Sequence, residues 1–415
     1  MAVAQSERDT LRELARRVAE IASLPIQQRR KEQWLALNAL KPERPMVLTS
    51  LEDRAWGEMI DESKFTCQDP MLREWETNLR RRIFHHENVP DDRIITDALD
   101  VPRVLPMTPL GLDITLVHPA ESDGSYTWTP SLRTEADLGK FQFQTVTFDR
   151  DQTGRNYDLA REIFGDILNV RIRGGANIGT WFTGRLSLLH GLEPLLMDLN
   201  DNPRLIHRAM AFQQDNMNRT LDQYQDLDVL SINTAPEDHF LMGGSAYTDQ
   251  LPQPDYTDSV HLSDMWAYGE CQEFAGVGPE QFYEFSLHYE APVLRRFGMV
   301  AYGCCEPLDR KFDLVIRHLP NLRLVSVSPW CDRRVAADKL GNRYVYAWKP
   351  NPAMLCSPSP DWEGMEKLTR ETLQIARSCC VEIVMKDMHT LHRDAVRLRR
   401  WTELAMGLVQ EAAGK

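Results

Sequence analysis

Apolar residues in the second half of the chain alternate between short buried-type runs and longer amphipathic stretches. The short runs are typical of strands and lie at residues 229–233, 299–302, 322–327, 344–347 and 381–385. A helical pattern follows each strand run, at residues 279–297, 307–319, 332–340, 361–377 and 394–413. Successive strand–helix units predict a parallel sheet with helices packed against it.

The first half adds three strand candidates, at residues 45–49, 141–147 and 170–173. Eight strands followed by helices predict an α/β fold, a (β/α)8 TIM barrel. We expect a helical extension over residues 1–44, a single barrel domain over 45–415, and an insertion around residues 93–160, where polar residues and Pro and Gly breaks interrupt the pattern. A doubly wound sheet competes, but no Gly-x-Gly-x-x-Gly follows a strand.

Net charge, apolar runs and cysteine count disfavour several classes of protein. The net charge of −13 disfavours nonspecific binding to nucleic acid or to an anionic membrane. No apolar run approaches the roughly 18–20 residues of a membrane span, and the N-terminus lacks a secretory apolar segment. Eight cysteines in 415 residues are too sparse for a disulfide framework. These features predict a cytoplasmic enzyme.

The strand at 299–302 ends in Gly303, Cys304, Cys305 and Glu306. The carboxyl ends of parallel strands are where α/β proteins place their chemistry, so this stretch is the predicted centre. The structural alternative is that either cysteine is a small buried apolar residue.

Other strand ends should reach the same face of the sheet. Thiolate, carboxylate and imidazole groups meeting there would suit zinc. The residues collected in this way are Asn233, Glu237, Asp238, Ser328, Trp330, Cys331, Lys349, Asn351, Lys386, Asp387 and His389. Glu270 and Gln272 read either as polar loop residues or as substrate contacts, and His389 could equally be a surface histidine.

Several stretches resemble the uroporphyrinogen decarboxylase superfamily, which includes zinc-dependent methyltransferases that use a corrinoid. The similar segments are residues 189–198, 302–308, 326–330, 349–352 and 386–390. The resemblance implies a TIM barrel with its pocket at the carboxyl face. It would place the decarboxylases' essential aspartate on Asp97, but their arginine-rich N-terminal motif is absent.

The methyltransferases carry a His-x-Cys pair, which falls here on Tyr302-Gly-Cys304, and a later cysteine, where His389 stands. The resemblance therefore implies an altered zinc site made from Cys304, Cys305, Glu306 and His389.

On this basis the leading hypothesis is a methyltransferase that moves a methyl group between a small donor or acceptor and a corrinoid (cobalamin) on a separate protein, with zinc as Lewis acid. The catalytic set would be Tyr302, Glu270, Lys349, Lys386 and Asp387. The substrate-binding set would be Gln272, Asn233, Trp330, Asn351 and Asp97. The alternatives are a decarboxylase or lyase acting on a small carboxylic acid, and a non-catalytic corrinoid- or tetrapyrrole-binding protein. A homodimer is compatible with the sequence.

Overall fold

Buried apolar runs form a central parallel sheet in the computed structural model of the protein, which describes residues 3–117 and 127–414. The strands are β1 (Met46–Leu51), β2 (Ala98–Pro102), β3 (Thr115–Val117), β4 (Thr127–Thr129), β5 (Asn169–Arg173), β6 (Gly179–Thr180), β7 (Trp266–Gly269), β8 (Met299–Tyr302), β9 (Leu322–Val327), β10 (Val345–Trp348) and β11 (Cys380–Met388). The helices are α1 (Gln5–Ala22), α2 (Pro25–Asn38), α3 (Asp53–Met59), α4 (Pro70–Asn88), α5 (Arg150–Phe164), α6 (Phe182–His190), α7 (Leu192–Asp201), α8 (Pro203–Asp226), α9 (Pro279–Phe282), α10 (His288–Leu294), α11 (Phe312–His318), α12 (Arg333–Leu340), α13 (Ala353–Cys356), α14 (Trp362–Ile375) and α15 (Val396–Ala412). A π-helical turn, Tyr283–Leu287, joins α9 to α10.

The central sheet has seven parallel strands in the order β1, β11, β10, β9, β8, β7, β6. Helices connect the strands from β8 onward, which confirms the α/β class and the parallel sheet. In the part of the chain that the structure describes, no ladder of hydrogen bonds joins β6 back to β1, so closure into a barrel is not shown.

Two smaller sheets lie in the first half. The strand predicted at 170–173 is present as β5, but it pairs in parallel with β2 rather than with the central sheet. β6 begins six residues after β5 ends, so one segment of chain serves both sheets. β3 and β4 form an antiparallel pair within the predicted insertion, and 118–126 lies outside the described residues.

Two predicted strands are wrong. Residues 229–233 bury Val229 and Leu230 but form no strand. The Asn233 side chain instead donates to the carbonyl oxygens of Ala176 and Trp266 and accepts from the Trp266 amide, so a side-chain amide makes the bonds that a strand backbone would make. In residues 141–147 there is only an isolated bridge from Val146.

Side chains on the central strands alternate between two cores, as the two-residue period of a strand requires. One face, the helix face, packs against the helices and includes Val300, Tyr302, Val325 and Ile383. The other face, the inner face, includes Met46, Leu48, Trp266, Met299, Ala301, Leu324, Val345, Ala347 and Cys380. Phe240, Met242 and Ala246, from the segment 237–247, fill the space over the inner face.

The two N-terminal helices pack in different places. Leu11, Ala15 and Val18 of α1 belong to a third core with α4, α5, β2 and β5. Trp34 and Leu37 of α2 belong instead to the core of the inner face. The division into an extension at 1–44 and a barrel domain at 45–415 stays a prediction. Within the described residues, no helix combines the length and apolarity needed to cross a bilayer.

The outer edge of β1 is covered by side chains. Asp92 accepts from the Val47 amide at 2.8 Å, and Asp91 accepts from the Thr49 amide at 2.8 Å. Both carboxylates are buried, and each also has a cationic or imidazole partner, Arg44 for Asp92 and His85 for Asp91. The edge amides therefore bond to carboxylates where a further strand would otherwise lie.

Candidate active site

Polar side chains replace apolar ones at the carboxyl end of the inner face. Strand alternation continues from Trp266 to Tyr268 and Glu270, from Ala347 to Lys349, and from Cys380 to Lys386. Glu270, Lys349 and Lys386 are all buried. The sheet thus places a carboxyl and two amines together above an apolar floor.

A tight turn after β8 brings Cys304 to these groups. Gly303 has φ +93, a conformation that favours glycine, and a side chain there would meet Leu308 at 2.8 Å. The Cys304 carbonyl oxygen accepts from Ser326 Oγ at 2.8 Å and from Lys349 Nζ at 3.0 Å. The turn is therefore fixed by β9 and by the end of β10.

The two thiols lie side by side, half-buried, with their sulfur atoms 3.7 Å apart. Cys305 Sγ also lies 3.6 Å from Asp387 Oδ2. A hydrogen bond from Cys305 and the positive charges of Lys349 and Lys386 lower the pKa of Cys304 to about 6. The same pairing raises the pKa of Cys305. Cys304 is therefore the thiolate of the pair at neutral pH.

Glu306 supports the turn through both of its oxygens. Oε2 accepts from the Cys304 amide at 2.8 Å, and Oε1 accepts from the Cys271 amide at 3.0 Å. The side chain is 1% exposed. Its carboxylate ties the end of β8 to the end of β7, which makes it a positioning residue.

Glu270 is a buried carboxyl group on the inner face. Burial, followed by the charges of Glu306, Glu273 and Cys304, raises its pKa to about 9, so it is protonated at neutral pH. Oε2 accepts from the Gln272 amide, whereas Oε1 is buried with no partner among the described residues. A protonated carboxyl with a free oxygen near a thiolate can donate a proton to a leaving group.

The two lysines differ in their surroundings. Burial lowers the pKa of Lys349. Burial opposes the charge on Lys386 too, but the charges of Cys304 and Asp387 outweigh it and raise the pKa of Lys386. Lys386 Nζ lies 3.1 Å from Asp387 Oδ1, and Asp387 has φ +59, an uncommon conformation outside glycine.

The predicted catalytic residue Tyr302 lies on the opposite side of the sheet. It is fully buried on the helix face and donates to Glu290 Oε2 at 2.7 Å in α10. Strand alternation separates it from the inner face, and only the turn at Gly303 returns the chain to that face. We therefore assign Tyr302 to packing.

The remaining predicted residues are dispersed. His389 and Asp97 are exposed, and Trp330 is 67% exposed. Asn233 bridges backbone groups as described, and Asn351 Oδ1 accepts from the Ala353 amide. Gln272 is half-buried and reaches the cluster through its backbone amide alone among the hydrogen bonds described.

Glu237 and Asp238, predicted at the mouth, form ion pairs with arginines of β5. Arg171 pairs with Glu237, and Arg173 lies 2.8 Å from Asp238. Cys331 Sγ donates to Asp309 Oδ1, and burial raises the pKa of this thiol. These residues lie in local networks, and no contact described joins them to Cys304.

Three inner-face groups escaped sequence reasoning. Tyr268 has a pKa raised to about 12 by burial and by the charges of Glu270 and Cys304. Ser326 holds the Cys304 carbonyl. Glu382 is fully buried with both oxygens unpartnered among the described residues, and burial raises its pKa to about 8. Each lies two residues along its strand from an apolar inner-face residue, and this alternation is the signal that would have found them.

The predicted zinc ligands do not form one ready site. The thiol spacing of 3.7 Å matches two sulfurs that are each about 2.3 Å from a tetrahedral zinc. Glu306 is occupied by two backbone amides, and His389 is exposed. Over residues 3–117 and 127–414, no group of three or more His, Cys, Asp or Glu side chains is placed to hold a metal ion.

Comparison with known proteins leaves the family open. No family model matches the chain, and no curated protein matches it. Among solved structures the chain is similar to a methyltransferase from Methanosarcina mazei, with a TM-score of 0.45 and 9% identity over 92% of this chain and 98% of that one. Similarity this low supports no conclusion about activity, so the family resemblance stays a prediction.

Proposed function

We propose that this protein is a methyltransferase whose reacting group is the Cys304 thiolate. The observation that carries the proposal is an ionised thiol beside two lysines and a protonated carboxyl, all at the carboxyl end of a parallel sheet. Thiolates are strong nucleophiles toward carbon at neutral pH, whereas thiols are not. The proposal includes the cytoplasmic location predicted from the sequence.

The methyl transfer can be written with the side chains of the cluster around Cys304. Cys304 Sγ forms a bond to the methyl carbon of the donor while the bond from that carbon to the donor heteroatom breaks. The heteroatom leaves with the electron pair and takes the proton of Glu270. Lys349 and Lys386 stabilise the thiolate before attack. In the return step the sulfur of a thiol acceptor forms the bond to the methyl carbon, the bond from that carbon to Cys304 Sγ breaks with its electron pair on Sγ, and the proton of the acceptor returns to Glu270.

A corrinoid on a separate protein, as second methyl carrier, and zinc remain parts of the proposal. Cys304 and Cys305 are the two predicted ligands whose spacing fits zinc, which would supply Lewis acidity. Since the four-residue set does not converge, no step above depends on a metal. Metal content of protein purified with zinc supplied, compared with the Cys304→Ser and Cys305→Ser variants, tests this part.

We also propose that the sheet belongs to a (β/α)8 barrel with one open seam. β1, β2, the β5–β6 segment and β7 to β11 make eight strand segments, and each neighbouring pair is hydrogen-bonded except β1 with β2. Asp91 and Asp92 bond to β1 at that position.

The function is tested with methylcobalamin as donor and 2-mercaptoethanol as acceptor. We expect the wild type to accelerate formation of the methyl thioether, and to gain the mass of one CH2 group on the tryptic peptide 297–310 when the acceptor is omitted. Cys304→Ser should abolish both, whereas Cys356→Ser, a thiol outside the cluster, should change neither. No acceleration and no added mass in the wild type would reject the proposal.

One observation favours a second function, decarboxylation or lyase chemistry on a small carboxylic acid. The lowered pKa of buried Lys349 is typical of amines that attack carbonyl carbons. Asp97, the other residue of that hypothesis, is exposed. Release of carbon dioxide with trapping of the substrate on Lys349 by borohydride would support this function over methyl transfer.

A further inference from the structure

A cavity lies away from the thiol cluster, at the seam between β1 and β2. We call it the seam cavity; it has a volume of about 800 Å³ and its walls include Thr49, Ile94, Leu99, Arg82 and Arg93. A volume of this size accommodates a small organic ligand. Neither the predicted catalytic groups nor the thiols line it.

Two arginines enter the seam cavity from different elements. Arg82 of α4 donates from Nη1 to the carbonyl oxygens of Thr96 and Ala98, at 3.2 and 2.7 Å. Arg93, which follows the loop after α4, donates from Nη2 to the Thr49 carbonyl oxygen and to Ser50 Oγ. Backbone and hydroxyl groups thus orient both guanidinium groups.

Neither arginine is neutralised by an ion pair within the described residues. Arg93 Nε is buried with no hydrogen-bond partner there. Burial lowers the pKa of both side chains even though the charges of Asp91 on Arg93, and of Glu237 and Asp100 on Arg82, oppose the shift. A half-buried cation with an unused donor, such as Arg93, is stabilised when an anion reaches it.

Four carboxylates line the seam cavity; Asp100, Glu237 and Asp238 are ion-paired with other arginines, and Glu74 is exposed. Arg171 contacts Asp100 at 2.6 Å and also pairs with Glu237. Arg173 contacts Asp100 at 2.9 Å and Asp238 at 2.8 Å. Arg171 and Arg173 thus engage all three of these carboxylates, and within the described residues neither Arg82 nor Arg93 forms an ion pair with them.

Other lining residues are a further arginine, Arg81, which pairs with Asp53, and a group of apolar side chains. Ile94, Ile95 and Leu99 are at most 3% exposed and line the cavity. His239 also lines it, and burial lowers the pKa of this imidazole to about 3, so it is neutral at physiological pH. The cavity therefore offers a ligand both guanidinium groups and hydrocarbon surface.

We infer that the seam cavity binds a small organic anion, whose carboxylate or phosphate group pairs with Arg82 and Arg93 while its apolar part packs on Ile94 and Leu99. The guanidinium fork is suited to both groups. This inference is independent of the proposed methyl transfer, because it uses no residue of the thiol cluster.

Calorimetric titration with sodium benzoate, inorganic phosphate and neutral benzamide tests the site. We expect benzoate or phosphate to bind in the millimolar range or tighter and benzamide not to bind. Benzoate identifies a carboxylate as the recognised group, and phosphate identifies a phosphate. Arg82→Gln and Arg93→Gln should each weaken anion binding about tenfold or more, as loss of a charge-assisted hydrogen bond does.

Arg370→Gln is the matched control, since this arginine is exposed and paired with Glu366 and Glu411. Arg82→Lys keeps the charge without the fork and should give an intermediate affinity, which keeps the test decisive if Arg93→Gln does not fold. The inference is overturned if neither anion binds, if benzamide binds as well as benzoate, or if the folded variants bind like the wild type.

Discussion

Removing the Cys305 thiol should shift the ionisation of its neighbour. The pKa of Cys304 is about 6 against an ordinary value of 9.0, and the largest cause is the hydrogen bond from Cys305. This hydrogen bond therefore favours the thiolate form of Cys304 over the thiol. Part of the lowering of the Cys304 pKa should remain after the Cys305 thiol is removed, because the charges of Lys349 and Lys386 still act on Cys304.

We therefore expect the pKa of Cys304 in Cys305→Ala to lie between about 6 and 9.0, and Cys305→Ser, whose hydroxyl can still donate, to lie closer to the wild type. At pH 7 a thiol with a pKa of about 6 is roughly 90% ionised, whereas one with a pKa of 9 is about 1% ionised. The alkylation rate at pH 7 should fall accordingly in Cys305→Ala.

The assay is iodoacetamide labelling across pH 5 to 10, followed by fragmentation of the peptide 297–310 to separate the two cysteines. Cys356→Ser serves as a control that leaves the cluster intact. The reasoning is refuted if wild-type Cys304 reacts with an apparent pKa near 9, or if the pH profile of Cys305→Ala overlays that of the wild type.

Three further outcomes are expected. Glu270 has a folded pKa of about 9, above its ordinary value of 4.5, so the folded state holds a proton that the unfolded state has lost. The free energy of unfolding should therefore fall as pH rises from about 4.5 to 9. Glu270→Gln should reduce this fall between urea melts at pH 5 and pH 8, and an equal fall in the variant would contradict the assignment. Tyr302→Phe should lower the free energy of unfolding by about 1–3 kcal/mol, because it removes the hydrogen bond to the buried carboxyl of Glu290. The pH profile of Cys304 alkylation should stay unchanged, and a shifted profile would show that Tyr302 acts on the thiol cluster. Gly244→Ala should lower the melting temperature, since φ is +99 and the new methyl would lie 2.4 Å from Glu382 Oε1, whereas Gly407→Ala, with open space around it on α15, should be neutral or stabilising; equal effects would show that the contact with Glu382 relaxes freely.

The sequence predicted the strands whose burial is continuous. β8 and β9 have the same bounds as the apolar runs at 299–302 and 322–327, because a strand covered on both faces is apolar throughout. β7 was missed because Trp266–Gly269 is short and leads into polar residues. Residues 229–233 were mistaken for a strand because apolar burial does not distinguish a paired segment from one whose bonds are made by an asparagine side chain.

Some residues of the candidate site could be placed from the sequence, and others could not. Lys349, Lys386 and Glu270 could be placed with Cys304 because parallel strands end at a common edge. The side on which Tyr302 lies follows from alternation with Val300, but the return of Cys304 to the inner face depends on the positive φ of Gly303. The pKa values depend on burial and on distances between residues far apart in sequence, which no local pattern contains.

The carboxylates on the edge of β1 affect how the backbone amides of that strand exchange with solvent. The amide hydrogens of Val47 and Thr49 are held by Asp92 and Asp91 rather than by a neighbouring strand. Their exchange with deuterated solvent is therefore governed by the motion of two side chains. Amides within the β10–β11 ladder, by contrast, exchange only when strands separate. The same seam that holds the arginine-lined cavity is thus the part of the sheet where a strand edge can open without unpairing its neighbours.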